Sequence, residues 1–217
     1  MPLDDPGAFI RAHTSLLPAP HAPEISLYVA DEITPIWRMT EEALGELGLN
    51  PPFWAFAWAG GQAIARYLLD HPEDVRGKTV LDFACGSGVC AIAAMKAGAA
   101  SALGVDIEPL CAAAVALNAE ANGVQVQVRI EDILDRPAPA VDVILAGDVC
   151  YERPMAERVL AWLRAAHKAG AHVLIGDPGR TYFPRRGLDP IADYQVTTTR
   201  ELEDAEIKRT RVWTIPD

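Results

Sequence analysis

The sequence is poor in basic residues. Its 217 residues include 19 lysines and arginines against 30 aspartates and glutamates, so the formal net charge is −11 and the pI about 4.9. Surfaces that follow a phosphate backbone are basic. This shortage therefore argues against a nucleic-acid partner and favours a neutral or cationic one.

Long apolar runs are also missing. No uninterrupted run reaches the roughly eighteen residues of a membrane span, and the acidic, proline-containing start, MPLDDPGAF, does not resemble a secretory signal. We therefore expect a cytoplasmic protein without membrane association. The sequence does not define the oligomeric state, and a monomer is the simplest assumption.

Histidine and cysteine are scarce and lack the grouping of metal ligands. The five histidines form no cluster, and the cysteines lie in predicted core segments without paired spacing. No metal site is predicted, and the cysteines are interpreted as buried, reduced thiols. They are Cys85, Cys90, Cys111 and Cys150.

A strand, a glycine turn and a helix are predicted over residues 79–99, TVLDFACGSGVCAIAAMKAGA. The apolar run with Val80 and Leu81 meets a turn that contains Gly86 and Gly88, and an alanine-rich segment with helical spacing follows. Backbone N–H groups at a helix start carry partial positive charge and lack partners within the helix. Because glycine also allows close approach to the backbone, the turn is a predicted seat for an anionic ligand group.

The glycine spacing alone fits two cofactors. Gly86, Gly88 and Ala91 match the dinucleotide fingerprint G-x-G-x-x-G/A, and Asp106 lies where an acid that binds ribose is expected. Asp82, however, precedes the glycines at a position where a nicotinamide site usually has an apolar residue. The resulting pattern, D-x-x-x-G-x-G, resembles motif I of class I methyltransferases, which use S-adenosylmethionine.

The resemblance to motif I implies a role for each residue around the turn. Asp82 would face the amino-acid part of S-adenosylmethionine, the two glycines its methionine backbone, and Asp106 the ribose hydroxyls. Glu131 and Asp132, at the polar end of the third strand, lie where this fold usually recognises the adenine amino group; a solvated turn or a helix cap is the alternative for them. The predicted cofactor contacts of this region are Asp82, Gly86, Gly88, Asp106, Ile107 and Asp132.

The order of the segments predicts an α/β fold. Apolar strands alternate with helices up to residue 180, and the tail, residues 194–215, contains two β segments around a polar turn. This is the order of the Rossmann-like, seven-stranded class I methyltransferase fold with an antiparallel last strand. A nicotinamide dehydrogenase more often continues in parallel βα units.

The chain length suits one domain. We expect the methyltransferase domain to span residues 51–217, with residues 1–50 as an N-terminal cap segment. The expected elements of the cap are a helix over residues 6–15, an irregular segment over 18–23, a strand over 25–29 and a helix over 34–47.

Three aromatic residues alternate before the first helix of the domain: Trp54, Phe56 and Trp58. An extended backbone would place their rings on one face. At least one is expected to be an ordinary core residue. Trp54 and Trp58 are predicted to wall the cofactor, because a ring face near a sulfonium cation contributes about 0.5 to 2 kcal/mol.

A second signature, DVCY, occupies residues 148–151 after the fourth predicted strand. It resembles the D-x-x-Y signature of a group of protein lysine methyltransferases, and within that group the chain is most similar to the enzymes that methylate the electron transfer flavoprotein β subunit. The resemblance covers about residues 50–215 and implies that Asp148 and Tyr151 are catalytic, with Asp148 also bordering the cofactor. The segments that carry it are FWAFAWAGGQAIARYLLD (53–70), RGKTVLDFACGSG (76–88) and LIGDPGR (174–180).

The chemistry of lysine methylation limits what Asp148 can do. Transfer needs a neutral amine, and neutralising a lysine of pKa near 10.4 at pH 7 costs about 4.6 kcal/mol. A nearby anion favours the ammonium instead. We therefore predict that Asp148 binds and aligns the ammonium, that the proton is lost to water before transfer, and that Tyr151 hydrogen-bonds the amine or walls its channel.

Structural and functional alternatives stay open at this point. Asp148 could cap the helix that begins near Glu152, and Asp177 and Arg180 either shape the opposite rim of the site or belong to a tight turn. The acceptor could be a ribosomal protein or a small amine. A nicotinamide-dependent oxidoreductase is disfavoured by the aspartate of motif I, and a non-catalytic binding protein by the presence of both signatures.

Overall fold

The computed structural model describes residues 5–30, 36, 39, 45, 51–184, 186–198 and 206–216. The first described helix, α1 (Pro6–His13), is capped by Asp5, whose side chain accepts a hydrogen bond from the Ala8 N–H at 2.9 Å. Two antiparallel strands follow it and form a hairpin, β1 (Ser15–Ala19) and β2 (Ala22–Val29).

The hairpin corrects one expectation about the cap. Residues 18–23 are predicted to be irregular, but residues 18–19 end β1 and residues 22–23 begin β2. Both strands of a two-stranded hairpin are edge strands, where proline is tolerated because its missing N–H need not bond a neighbour. The expected helix at residue 6 and the strand over 25–29 are confirmed, while the helix expected over 34–47 falls almost entirely outside the described residues.

One sheet of seven strands forms the centre of the described chain. Its strands are β3 (Thr79–Phe83), β4 (Ser101–Asp106), β5 (Gln127–Ile130), β6 (Val143–Gly147), β7 (His172–Asp177), β8 (Asp189–Thr197) and β9 (Ile207–Thr214). The order is β5-β4-β3-β6-β7-β9-β8. The strands from β5 to β7 are parallel, and β9 runs antiparallel to both β7 and β8. This confirms the predicted α/β fold with an antiparallel last strand.

Helices cover both faces of the sheet. They are α2 (Ala59–Asp70), α3 (Val89–Lys96), α4 (Leu110–Ala121) and α5 (Arg153–Lys168). Successive residues of β6 enter opposite cores: Leu145 packs with Ile64 of α2, and Ile144 packs with Leu163 of α5. Strands buried on both faces are continuous apolar runs. Because parallel strands end at one edge, the acids that follow them are brought to the same side.

The N-terminal hairpin is fixed to the main sheet through α4. Asn118 is fully buried in this helix. Its Oδ1 accepts a hydrogen bond from the Tyr28 N–H at 2.7 Å, and its Nδ2 donates to the Ser87 carbonyl oxygen at 2.8 Å. One amide therefore connects β2 to the glycine turn.

The four cysteines are buried and free, as the sequence predicts. Burial raises the pKa of Cys85 and Cys90 well above that of an exposed thiol. In the part of the chain that the structure describes, no helix is long and apolar enough to cross a membrane. Nor do the described histidines, cysteines and acids include a group of three or more placed to hold a metal ion.

Candidate active site

The glycine turn lies between β3 and α3. Gly86 and Gly88 have φ angles of 50° and 78°, a backbone conformation that other residues adopt at a cost, and a side chain at Gly88 would come within 2.9 Å of Val115 Cγ2. The Asp106 carboxylate, at the end of β4, accepts hydrogen bonds from the Gly86 N–H at 2.9 Å and the Glu108 N–H at 3.0 Å. The structure thus brings together both predicted glycines and the predicted ribose acid.

Asp82 is buried near the end of β3. Its Oδ2 accepts a hydrogen bond from the Ala91 N–H at 3.0 Å, so the carboxylate caps α3. Burial raises the pKa of Asp82 to about 8, and the charge of Asp106 adds to this. A cation placed beside such an acid would favour its carboxylate form. Asp82 therefore fits the predicted contact with the amino-acid part of the cofactor, which carries an ammonium group.

Two predicted cofactor contacts follow β4 and β5 at exposed positions. Ile107 is 72 % exposed and places an apolar surface next to Asp106. Asp132 accepts a hydrogen bond from the Leu134 N–H at 3.0 Å, and its Oδ2 lies 3.6 Å from Arg158 Nη2. Asp132 therefore has the contacts of a solvated turn, and its role toward an adenine group stays a prediction.

The prediction that the rings of Trp54, Phe56 and Trp58 lie on one face of an extended segment is wrong. Residues 53–55 form a short 3₁₀ turn in place of an extended strand, so the ring of Trp54 is 1 % exposed and packs in the core with Ile10. The backbone of this segment lies near the glycine turn: a Cβ at Gly86 would be 3.9 Å from the Phe53 carbonyl oxygen and 3.9 Å from Trp54 Cα. Trp54 is the core member of the three.

Phe53, Trp58 and Tyr151 form what we call the aromatic cluster. The ring centroid of Phe53 lies 5.9 Å from that of Trp58 and 6.0 Å from that of Tyr151. Trp58 Nε1 donates a hydrogen bond to the Phe53 carbonyl oxygen at 2.9 Å, which closes the loop between them. Phe53 is 51 % and Tyr151 45 % exposed, so the cluster presents an apolar surface to solvent.

Asp148 directly follows β6 and has a φ of 57°, a conformation that aspartate and asparagine tolerate better than most residues. Its Oδ2 accepts a hydrogen bond from the Gly61 N–H in the first turn of α2 at 3.0 Å, and its Oδ1 accepts one from Arg180 Nη2 at 2.8 Å. Burial raises the pKa of Asp148 to about 6, although the charge of Arg180 acts in the opposite direction. Asp148 thus caps α2, not the helix near Glu152, which has no side-chain cap.

Glycines allow α2 to cross the ends of β6 and β7 at backbone contact. A Cβ at Gly60 would lie 2.6 Å from Asp148 Oδ2 and would overlap the Gly176 carbonyl oxygen, and one at Gly147 would lie 2.9 Å from the Gly61 nitrogen. Sequence reasoning missed this crossing. Its signal is present: two adjacent glycines lie in the first turn of α2, and a Gly-Asp dipeptide lies where β6 and β7 end, with Asp148 just after β6 and Asp177 as the last residue of β7.

The turn after β7 has the tight geometry that the sequence offers as one alternative. Asp177 Oδ1 accepts hydrogen bonds from the N–H groups of Gly179 and Arg180, both at 2.7 Å. The Arg180 side chain nevertheless leaves this turn for the site, because it reaches Asp148 and places its Cζ 5.6 Å from the Trp58 ring centroid. The tight turn is therefore observed, and a role of Arg180 at the rim of the site stays a prediction.

Comparison with known proteins identifies the class. The magnesium protoporphyrin IX methyltransferase of Synechocystis, solved with bound SAM, shares the fold with a TM-score of 0.52 and 20 % identity, over 72 % of this chain and 79 % of that chain. Residues 63–150 match the family profile described as Ribosomal protein L11 methyltransferase (PrmA). Together with the glycine turn and its acids, these similarities show the fold of the class I methyltransferases.

Relatives of higher identity define the family within that class. The electron transfer flavoprotein beta subunit lysine methyltransferase of Xenopus laevis is 37 % identical over 214 residues, which span 96 % of this chain and 86 % of that protein. The protein of the same name from Homo sapiens is 34 % identical over 213 residues, spanning 95 % and 80 %. The chain belongs to the family of electron transfer flavoprotein β subunit lysine methyltransferases. The resemblance carried by DVCY and the three segments is confirmed.

Proposed function

We propose that the chain transfers methyl groups from S-adenosylmethionine to lysines of the electron transfer flavoprotein β subunit. The observation that carries the proposal is the position of Asp148, a buried carboxylate at the same sheet edge as the glycine turn and beside the aromatic cluster. Burial raises the pKa of Tyr151, and the charges of Glu152 and Asp106 add to the effect. The charge of Asp106, beside the glycine turn, thus acts on the tyrosine of the D-x-x-Y signature. The names of the relatives support the acceptor.

The residues around the glycine turn fit this cofactor. Backbone N–H groups at the start of α3 suit its carboxylate, and the buried Asp82 suits its ammonium group. The Asp106 carboxylate retains acceptor capacity for a ribose hydroxyl, and Ile107 offers an apolar surface for a flat ring. When bound, S-adenosylmethionine supplies an electrophilic methyl group on a sulfonium centre.

Asp148 and the aromatic cluster are proposed to bind and align the acceptor lysine. Asp148 is ionised above about pH 6, so at neutral pH it attracts an ammonium, and the ring faces favour the same cation. A group of that pKa is too weak a base to deprotonate lysine, whose pKa is about 10.4. The proton is therefore lost to water, and most of the rate comes from holding the amine at attack distance.

We expect the affinity for S-adenosylmethionine to rise with pH until about pH 8. Asp82 is protonated below its pKa of about 8, and only its carboxylate pairs with the ammonium group of the cofactor. Each pH unit below this value should therefore weaken binding by up to about tenfold. Calorimetric titration across this range should show the slope in the wild type and a flat profile in Asp82→Asn. A flat wild-type profile would place the ammonium group elsewhere.

Tyr151 is expected to act mainly through its ring. Tyr151→Phe keeps the contact with Phe53, so kcat/KM for the β subunit should stay within about threefold of the wild type, whereas Tyr151→Ala should lower it about thirtyfold. Steady-state kinetics on the two variants check this. An equal loss in both would assign the role to a hydroxyl hydrogen bond with the amine.

The proposal is tested by incubating the purified chain with isotopically labelled S-adenosylmethionine and recombinant electron transfer flavoprotein, followed by mass spectrometry of the β subunit. Labelled lysine in that subunit is the expected result. Ribosomal protein L11 is incubated in parallel, because the profile match over residues 63–150 makes it the second candidate acceptor. Label on L11 alone would make L11 the acceptor in place of the β subunit. Label on neither protein, with cofactor binding confirmed by calorimetry, would contradict both candidate acceptors.

A further inference from the structure

Asp148, the carboxylate proposed to bind the acceptor lysine, already forms an ion pair with Arg180 of the same chain. Arg180 Nη2 lies 2.8 Å from Asp148 Oδ1, and the side chains of these residues are only 20 % and 9 % exposed. The Arg180 Cζ also lies 5.6 Å from the Trp58 ring centroid, within the range of a cation–π contact. One guanidinium therefore contacts both a carboxylate and an aromatic face.

These are the two contacts that the ammonium of an acceptor lysine needs in the proposed mechanism. Asp148 Oδ2 is directed to the Gly61 N–H in the first turn of α2, so Oδ1 is the oxygen left to receive a cation from solvent. A guanidinium and an ammonium cannot occupy the same place beside Oδ1. Arginine is also protonated at all relevant pH values, and it therefore holds the place without offering a nucleophile.

The backbone of the turn after β7 is held independently of the Arg180 guanidinium. Asp177 fixes the backbone of this turn through hydrogen bonds from the Gly179 and Arg180 N–H groups. Those bonds involve no atom of the guanidinium. Release of the side chain from Asp148 therefore leaves these backbone hydrogen bonds of the turn in place.

We infer that Arg180 occupies the place of the acceptor lysine in the free enzyme, and that the acceptor displaces it from Asp148. The inference rests on the proposed function, because it takes the acceptor to be a lysine. It makes Arg180 an internal competitor of the substrate. A residue that only positioned Asp148 would remain paired with it while the substrate is bound.

The first test is the variant R180K, which puts an amine where the guanidinium lies. After losing its proton to water, this amine attacks the methyl carbon of S-adenosylmethionine: the carbon–nitrogen bond forms, the carbon–sulfur bond breaks, and the sulfur keeps the electron pair as S-adenosylhomocysteine. Peptide mass spectrometry, without any added acceptor, should find methylation at position 180. The natural lysines serve as internal controls and should stay unmodified; they are Lys78, Lys96, Lys168 and Lys208.

The matched control for R180K is R153K. Arg153 is also an arginine near the site, but its Cζ lies 5.7 Å from the Tyr182 ring centroid, whereas the hydrogen bonds of the Asp148 carboxylate within the described residues are with Gly61 and Arg180. An amine at position 153 should not be methylated. Methylation at both positions would indicate unspecific transfer and would overturn the inference.

The second test measures binding without any cofactor. Removal of the competitor in R180A should lower the dissociation constant for recombinant β subunit by about tenfold, the usual size of one hydrogen bond to a charged group. R153A removes one positive charge but no competitor, so its dissociation constant should match that of the wild type. Calorimetry with S-adenosylmethionine shows that each variant is folded.

Both results are required, and each can overturn the inference. An unmodified position 180 in folded R180K, or an R180A variant that binds the β subunit no more tightly than the wild type, would make Arg180 a positioning residue. Failure of the proposed function gives a different pattern. R180K could be methylated at position 180 while the wild type leaves the β subunit unmodified. In that case the inference that Arg180 competes with an acceptor lysine stands, and only the proposal that the acceptor is the β subunit fails.

Discussion

Asp148→Asn is expected to reduce kcat/KM for methylation of the β subunit by about a thousandfold, as when one member of a buried charge pair is removed. The amide oxygen can still accept the Gly61 N–H, but the amide NH₂ group would face the Arg180 guanidinium and could not bind an ammonium. Asparagine is the proper replacement because it tolerates the positive φ at this position. Methyl transfer is followed with labelled cofactor.

Two measurements make this result specific to the acceptor. The dissociation constant for S-adenosylmethionine should change by no more than a few fold in Asp148→Asn. The control is Asp193→Asn, which removes a carboxylate paired with Arg209 and Arg211 on the exposed strand β8 and should leave activity unchanged. If cofactor affinity fell as far as activity, Asp148 would belong to the cofactor and not to the lysine.

Gly60→Ala is expected to lower the free energy of unfolding by about 3 kcal/mol or more, because its Cβ has no space to enter. The atoms that it meets are the Gly176 carbonyl oxygen and, at 2.6 Å, Asp148 Oδ2. Backbone atoms cannot rotate away, so α2 must move off the sheet. Urea denaturation followed by circular dichroism measures the change.

The adjacent Gly61→Ala is the matched control. Its Cβ would meet only side chains, Val89 Cγ1 at 3.0 Å and Cys90 Sγ at 3.8 Å, and the N–H that binds Asp148 is kept. Alanine also favours a helix over glycine by about 1 kcal/mol. We expect the unfolding free energy of this variant to stay within about 1 kcal/mol of the wild type. Equal losses in both variants would show that the crossing is not the cause.

The sheet and the glycine turn are predictable because their signals are local. Strands such as β6 (Val143–Gly147) are short apolar runs that end in glycine or an acid, and Asp82, Gly86 and Asp106 are recognised by spacing within one strand–turn–helix–strand unit. The antiparallel end of the sheet follows from the two β segments of the tail. These parts of the fold are confirmed by the structure.

The contacts that complete the site are not local, and for that reason spacing does not reveal them. Asp148 binds Gly61 and Arg180 across separations of 87 and 32 residues. Trp54 enters the core because it packs with Ile10 of α1, a partner that no periodicity in residues 53–58 indicates. The hairpin of β1 and β2 is a similar case. Its prolines made an irregular segment the local expectation, but proline is tolerated in edge strands because its missing N–H need not bond a neighbour.

Asn118 has a consequence for any shortened form of the enzyme. Its amide is fixed on one side by the Tyr28 N–H and on the other holds the Ser87 carbonyl oxygen of the glycine turn. A chain cut before residue 51 would lose the first contact and expose the amide to water, so the turn would lose an ordered neighbour. The hairpin thus supports the glycine turn through Asn118, and we expect a shortened or recombinant form of the catalytic domain to need the hairpin strands β1 and β2 for an ordered cofactor site.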